Sequence, residues 1–357
     1  MRNISAVDSV SLAIQRTRDF LFRPFAWGTY LKLGLVAIIT EGLGSNVHGS
    51  GGGNNKPSGH IPNLGSPFHM DAPFHFEPYQ IAVVVAALAL AMVIVFFVIY
   101  LITRLRFAYF HCLVHNLREI RPGWDFHREQ AGRFFWLNVS VAFGFLVVVV
   151  GISLPFIKGF VKLAQETHQG GPFDWGLLLS LVLPLIPILI LISLAGVLSD
   201  LILRDWMLPH YALEDATAGQ AWAEVWHNIR AEKKQFLVYT ILRLVLPLIA
   251  SVCLVIVMAI PGLAIVGVIA ALEYGLHSAF ADATGGAAVA GIMLQAFFGL
   301  FAVGLTLLAS ICLGGPLSTS VREFALVFYG GRYRLLGDLL YPPVPAVPSG
   351  PGTFGAR

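Results

Sequence analysis

Three charged residues within or beside apolar stretches are the first candidates for chemistry. Asp200 and Arg204 are four residues apart, so on a helix their side chains share one face and can pair. Arg243 lies about two turns into another apolar stretch, where Asp200 or Asp205 can neutralise it if the two helices adjoin. Ionisable residues inside a membrane mark functional sites by default. We predict an ion pair of Asp200, Arg204 and Arg243 that is either a structural bridge or linked to a substrate.

A second candidate is a polar cluster in a Gly-rich stretch. Imidazole and carboxylate groups are suitable ligands for Zn²⁺ or another divalent cation, and this stretch supplies them from His69, Asp71, His75 and Glu77. Their spacing matches no established metal motif. The interpretation we adopt is a solvated loop whose aromatic residues approach the membrane interface, and we expect no bound cofactor.

Other chemical motifs are weak. His111 and His115 are four residues apart, but Cys112 occupies the position where a metalloprotease motif has Glu. Cys112, Cys253 and Cys312 are far apart in apolar surroundings, which indicates free thiols. We find no phosphate-binding loop, nucleophile motif or catalytic pair, so we expect no enzymatic activity.

The composition indicates that lipid surrounds most of the chain. Of 357 residues, 57% are hydrophobic and 12% are charged, against roughly 45–50% and about 25% in soluble domains. The net charge of +3 gives no indication of nucleic acid binding. About 20 apolar residues cross a bilayer core of roughly 30 Å, and six stretches have this character: residues 27–43, 79–103, 134–157, 175–203, 236–260 and 287–313. The first is short and carries Lys32, so it is either a tilted span or a re-entrant segment.

The distribution of basic residues gives an orientation, because cytoplasmic loops are enriched in Lys and Arg. With six crossings and the amino terminus inside, all but three of the 23 Lys and Arg residues fall on the inner side, the exceptions being Lys56, Lys158 and Lys162. Glu41 then falls toward the outer side. We predict a multi-pass protein of the bacterial inner membrane with both termini in the cytoplasm.

Two stretches predict amphipathic helices on the cytoplasmic side. One has apolar residues at helical spacing, namely Trp222, Val225, Trp226 and Ile229, and begins with a capping-box pattern of Thr217 and Gln220. The other, near the amino terminus, has the apolar positions Ile4, Val7, Val10, Ile14 and Leu21 before Pro24. We expect these helices either to lie in the membrane interface near anionic headgroups or to pack on the bundle as connectors.

Several segments resemble a known family. They are the stretch from Asp205 and Trp206 through Pro209 to Phe236, the run from Arg16 to Phe25, residues 31–34, the Gly-rich loop and the stretch from Phe324 to Leu340. Together they resemble the membrane domain of bacterial glycerophosphodiester phosphodiesterases and related stand-alone multi-span proteins of unknown function. About 40 residues follow the last predicted span, too few for a catalytic barrel of typically about 250 residues. The resemblance therefore implies a membrane domain without catalytic residues.

The sequence thus predicts an all-α polytopic membrane helix bundle with about six spans and cytoplasmic interfacial helices. We expect one membrane domain over residues 1–341, including a flexible external loop at 41–78, and a disordered Pro/Gly-rich tail at 342–357. Arg106 and Arg204 each precede a tryptophan, Trp124 or Trp222, by 18 residues, which suggests internal repeats. Two functions remain open: a non-catalytic module that organises lipid or protein, with anionic lipids or a membrane protein as partner, and a transporter or lipid-handling permease with a site between repeats.

Overall fold

All regular secondary structure that the computed structural model describes, over residues 4–42, 78–168, 175–280 and 285–341, is helical. The helices are α1 (Ala6–Phe22), α2 (Trp27–Ala37), α3 (Pro78–His115), α4 (Arg121–Phe126), α5 (Arg128–His168), α6 (Trp175–Leu201), α7 (Leu208–Leu213), α8 (Ala218–Ala231), α9 (Lys233–Ala279), α10 (Gly286–Gly330) and α11 (Arg334–Leu340). Two short segments wind more widely: the first π turn (Ile38–Gly42) follows α2, and the second π turn (Ile202–Met207) joins α6 to α7. The predicted all-α helix bundle is confirmed.

Five segments of the described chain are long and apolar enough to cross a membrane, one fewer than the six predicted. They are Ala82–His115, Arg128–Leu163, Leu178–Leu213, Lys233–Val257 and Val289–Gly330. The predicted first span is not among them, because α2 and the first π turn end at Gly42 after starting at Trp27, short of the roughly 20 residues that cross. Tyr30, Leu33 and Ala37 on this segment are buried. The segment therefore packs within the protein over much of its surface.

Contacts between Cα atoms divide the chain into two compact units. The first unit comprises residues 1–42, 107–126 and 199–357, and the second unit comprises residues 43–106 and 127–198. The prediction of one membrane domain over residues 1–341 stays a prediction. The tail at 342–357 and most of the loop at 41–78 lie outside the described residues.

The second unit is built from α5 and the larger parts of α3 and α6. Phe135 of α5 packs edge-on against Tyr100 of α3, with ring centroids 5.6 Å apart. Gly159 of α5 lies against Leu181 of α6. Large apolar side chains such as Leu183 and Leu191 are exposed on α6, as expected for helix surfaces that face lipid.

In the first unit, α9 and α10 form a long antiparallel pair. Tyr239 of α9 stacks on Phe324 of α10 with ring centroids 4.9 Å apart, and Phe236 of α9 lies edge-on to Phe328 of α10 at 5.3 Å. The residue order therefore rises on one helix and falls on the other. With its 47 residues, α9 is about 70 Å long, more than the roughly 40–45 Å of a bilayer with its headgroups. Buried side chains concentrate near the start of α9 and the end of α10. The core of the first unit therefore lies at that end of the pair.

Small residues let α1 and α2 approach this pair closely. The helix α1 begins after Ser5, whose Oγ accepts a hydrogen bond from the Asp8 N–H at 3.1 Å, and its buried face carries Ala6, Ser9 and Ala13. On α2, Gly34 meets Gly315 of α10 so closely that a Cβ atom on Gly315 would lie 2.7 Å from the Gly34 Cα atom. Neither glycine can be enlarged without moving a backbone.

Candidate functional site

Five charged side chains from four segments meet inside the first unit, and we call them the buried charge cluster. The first π turn supplies Glu41, the second supplies Arg204 and Asp205, α9 supplies Arg243, and α10 supplies Arg322. All five are buried, and Asp205 has no exposed surface. Burying charge is costly unless the charges pair and form hydrogen bonds. The geometry of the cluster shows how this cost is offset.

Asp205 is the acceptor at the centre of the cluster. Its Oδ2 atom accepts hydrogen bonds from Arg243 Nε and Tyr239 Oη, each at 2.8 Å. Its Oδ1 atom accepts one from Arg322 Nη1 at 3.2 Å and lies 3.5 Å from Arg204 Nε. One carboxylate thus joins the second π turn, α9 and α10.

Glu41 is the second buried carboxylate of the cluster. Its Oε2 atom accepts a hydrogen bond from Arg243 Nη2 at 2.9 Å and lies 3.6 Å from Arg204 Nη1. The sequence placed Glu41 toward the outer side and Arg204 and Arg243 on the inner side, but the structure brings the three side chains together, so the two assignments cannot both hold. The placement of Glu41 rested on a full crossing by residues 27–43.

The structure also shows where the predicted ion-pair residues lie. Asp200 Oδ2 is 3.5 Å from Arg204 Nη1, one helical turn away, with the Asp200 side chain 36% exposed. Arg243 lies against Asp205 and Glu41 rather than completing a trio with Asp200. Sequence reasoning missed Glu41, Arg322 and Tyr239 as members of this site. The sequence did carry one signal for Glu41. It follows Gly34 by seven residues and Ala37 by four, which places it on the same helix face as these two small residues.

Both buried carboxylates of the cluster stand on π turns. A π turn accommodates an extra residue and re-aims the side chains around it, and such turns occur often at functional sites. Here they direct Glu41 and Asp205 toward the same guanidinium, that of Arg243. Three guanidinium groups share two fully buried carboxylates, while Asp200 adds charge at the exposed edge. The cluster can therefore act as an electrostatic lock between α2, α9, α10 and the end of α6.

Further buried polar contacts join the terminal helices to the same core. Arg16 of α1 donates to Glu323 of α10 at 2.9 Å and to the Leu340 carbonyl of α11 at 3.2 Å. His210 Nε2 lies 2.7 Å from the Tyr329 hydroxyl. Outside the spans, Tyr333 is also buried, and desolvation together with the negative charge of Glu214 raises the pKa of its phenol. Both ends of the described chain are thus held at one end of the first unit.

The predicted metal-binding candidates divide into two groups. His69, Asp71, His75 and Glu77 lie outside the described residues. His111 and His115 are neighbours on α3, with ring centroids 4.5 Å apart. Within the described residues, no group of three His, Cys, Asp or Glu side chains could hold a metal ion.

The amphipathic helices combine the two arrangements that the sequence left open. On α1, the small residues pack inward while Val7 and Ile14 are 64% and 57% exposed. On α8, Ala221 and Val225 are buried, while the indoles of Trp222 and Trp226 stack on the exposed face with centroids 5.9 Å apart. The predicted capping box is confirmed, because Gln220 Oε1 accepts a hydrogen bond from the Thr217 N–H at 3.0 Å. Each helix therefore has one packed face and one exposed apolar face.

Comparison with known protein families matches residues 4–339 to a family of unknown function (DUF7544). Because the match covers most of the chain, the protein belongs to this family. The match provides no link to the membrane domains of glycerophosphodiester phosphodiesterases. No curated protein and no solved structure matches the chain.

Proposed function

We propose that this member of the DUF7544 family is a non-catalytic module of the bacterial inner membrane that organises anionic lipid at the cytoplasmic face. The five long apolar helices indicate a membrane protein. Lipid organisation, the type of membrane, the orientation and the absence of catalysis are our proposals.

One observation carries this proposal: α1 and α8 pack one face on the core and leave an apolar face exposed. On α1, which lies along α9, the exposed apolar face can meet lipid tails. On α8, aligned apolar residues beside a cation are typical of a helix that lies in a membrane interface. Arg230 of α8 places its guanidinium 5.1 Å from the ring centroid of Trp226. Indole and guanidinium groups both favour the headgroup layer, where anionic lipids attract the charge.

The placement of the terminal helices supports the orientation. Arg16 joins α1 to α11 through the Leu340 carbonyl, so residues near the two termini lie at the same end of the first unit. The abundance of basic residues in the connections at this end favours the cytoplasm under the positive-inside rule. Because five crossings alone would put the two ends on opposite faces, the proposed orientation requires one further crossing between α1 and α3.

A structural role for the buried charge cluster supports a non-catalytic module. Arg243 donates a hydrogen bond to Asp205 and another to Glu41. Asp205 also accepts hydrogen bonds from Tyr239 and Arg322. Charges engaged in this way stabilise contacts between segments, whereas a catalytic or transport group must be free to change partners.

The alternative proposal is a lipid-handling permease, and the two π turns favour it. Turns of this kind occur often at functional sites, and each carries a carboxylate of the cluster. A permease would exchange these ion pairs during its cycle and so open a path for substrate.

One reconstitution experiment distinguishes the two functions. The purified protein is placed in phosphatidylcholine vesicles that contain a small fraction of phosphatidylglycerol carrying a fluorescent headgroup, and a membrane-impermeant reductant is added outside. For the module, only the outer-leaflet dye is bleached, as in protein-free vesicles. For the permease, the inner-leaflet dye is bleached as well.

A matched measurement tests lipid organisation itself. The protein is released from bilayer discs of mixed phosphatidylcholine and phosphatidylglycerol, and the lipids that stay bound are identified and counted by native mass spectrometry. We expect phosphatidylglycerol to be enriched over its bulk fraction. Retained lipid with the bulk composition would refute the proposed function.

A further inference from the structure

Two openings in the first unit lie along the seam between α1 and α9. The first, which we call the basic recess, has a volume of about 640 Å³ and is found where α1 and α9 begin. Its lining includes Ser5, Arg230, Lys233, Lys234, Gln235 and Arg332. The Ala6 N–H donates to Gln235 Oε1 at 3.2 Å, which fixes the start of α1 against the first turn of α9.

The basic recess carries an excess of positive charge. Glu232, the carboxylate in its lining, is engaged by Arg332 at 2.6 Å. Lys233 and Lys234 are exposed, and they have no ion-pair partner among the described residues. Their ammonium groups stand at the start of α9, where the helix dipole adds positive potential. A group with one or two negative charges and several acceptor oxygens fits this environment.

The second opening, which we call the apolar groove, has a volume of about 260 Å³. Its lining includes Val10, Ile14, Leu246, Pro247, Leu317 and Val321. The α9 part of the lining belongs to the candidate span Lys233–Val257, so the groove is placed to face lipid tails. The exposed Ile14 of α1 forms one wall of this groove.

The separation of the two openings matches the depth of one leaflet. Leu246 follows Lys233 by 13 residues on α9, which is about 20 Å along a helix. Half of a bilayer with its headgroups is also roughly 20 Å. A molecule with its phosphate in the basic recess can therefore extend hydrocarbon into the apolar groove.

We propose that the seam between α1, α9 and α10 is a binding site for one anionic phospholipid. Its phosphate contacts Arg230, Lys233 and Lys234, and one acyl chain fills the apolar groove. This inference rests on the proposed function and deepens it, since it assigns the preference for anionic lipid to a defined site. A zwitterionic headgroup binds less well because its own cation opposes the basic side chains.

The first test removes the charge of the recess. In bilayer discs of phosphatidylcholine and phosphatidylglycerol, native mass spectrometry is expected to find one retained phosphatidylglycerol per chain. A cation near an anionic surface contributes about fivefold in affinity, so the triple variant Arg230→Gln, Lys233→Gln, Lys234→Gln should lose at least about tenfold. The control, Arg18→Gln, Lys32→Gln, Arg121→Gln, removes equal charge from exposed residues that do not line the recess, and it should retain the lipid.

The second test fills the groove. Ala250→Phe places a ring in the apolar groove, while Ala259→Phe adds the same volume to an exposed position of α9 outside it. We expect only Ala250→Phe to release the lipid. A diazirine on the acyl chain of phosphatidylglycerol should cross-link to peptides that contain residues 10–14 or 246–250.

The outcomes separate this inference from the general proposal. Equal losses in both charge variants would show diffuse attraction, which overturns the seam site but leaves lipid organisation standing. Displacement of the retained lipid by millimolar glycerol phosphate would show that the recess binds soluble phosphate, which also overturns the site. A wild-type protein that retains no excess phosphatidylglycerol refutes both. Loss confined to the recess and groove variants, with unchanged unfolding temperature, supports the site.

Discussion

Removing the central carboxylate of the buried charge cluster should destabilise the first unit strongly. In Asp205→Asn, the side chain keeps nearly the same shape but loses the negative charge that faces Arg243, Arg322 and Arg204 at 2.8, 3.2 and 3.5 Å. Glu41 then remains as the one fully buried carboxylate of the cluster. Tyr239 also loses its charged acceptor.

The expected size of the effect follows from the geometry. Breaking a buried ion pair by removing one partner costs about 3–5 kcal/mol, because an uncompensated charge stays in a low-dielectric interior. An exposed pair contributes about 0–1 kcal/mol. The control is therefore Asp338→Asn, which removes a mostly exposed carboxylate 3.7 Å from Arg334 on α11.

Cys112 provides a reporter for this measurement. It is fully buried in the first unit, so a thiol-reactive dye should label it only on unfolding. With Cys253 and Cys312 replaced by Ala, the labelling midpoint of Asp205→Asn in detergent should fall by roughly 10 °C, given about 2–4 °C per kcal/mol for chains of 150–250 residues. Adding Arg243→Gln to Asp205→Asn should cost less than the sum of the two single changes, because it removes a stranded cation. Equal labelling midpoints for Asp205→Asn and Asp338→Asn would refute the role of the cluster as an electrostatic lock. A double variant whose loss of stability equals the sum of the two single losses would refute it as well.

Three further predictions follow from particular contacts. Gly315→Ala should lower stability by about 1–3 kcal/mol through overpacking against Gly34, whereas Gly304→Ala on the same helix, with nothing within 4 Å of its Cβ position, should not; the Cys112 labelling midpoint measures both. Replacing Trp222 and Trp226 together by Ala should change stability by no more than about 0.5 kcal/mol and should reduce tryptophan quenching by lipids brominated near the headgroup; unchanged quenching would contradict an interfacial α8. In a cysteine-free background, Ser5→Cys and Asp338→Cys should react with an impermeant maleimide from the same side of oriented vesicles, and reaction from opposite sides would disprove the shared placement of the two ends.

The long helices could be predicted from the sequence because the bilayer imposes a length on apolar runs. Five of the six predicted stretches fall on helices that are long and apolar enough to cross. Their ends were less accurate. The last predicted span stops at residue 313. The next residues, Gly314, Gly315 and Pro316, are a combination typical of the end of a helix. In the structure α10 continues to Gly330, and Gly315 gives Gly34 room to approach.

The composition of the buried charge cluster was harder to predict, because its members are up to 281 residues apart. The short-range element, Asp200 with Arg204, follows from helical spacing. The contact of Arg243 with Asp205 was one of two alternatives that the sequence offered. The contacts of Glu41 depend on where α2 ends, and the rule that assigns loops to alternate sides fails for a segment that does not cross. The burial of Arg322 was also missed, because a charged residue after an apolar run indicates that the chain leaves the membrane there.

The cations of the buried charge cluster and those of the proposed lipid seam have different roles. Arg204, Arg243 and Arg322 are buried with carboxylates and hold segments together, whereas Arg230, Lys233 and Lys234 are exposed and have no carboxylate partner among the described residues. Arg243 also borders the apolar groove, so the lock and the proposed lipid seam share one residue. If an acyl chain occupies the groove, it excludes water from this edge of the cluster and strengthens the pairing of Arg243 with Asp205. Bound phosphatidylglycerol should therefore raise the Cys112 labelling midpoint of the wild type, and this gain should disappear in Ala250→Phe but persist in Ala259→Phe. A gain that survives in Ala250→Phe would mean that the lipid acts elsewhere.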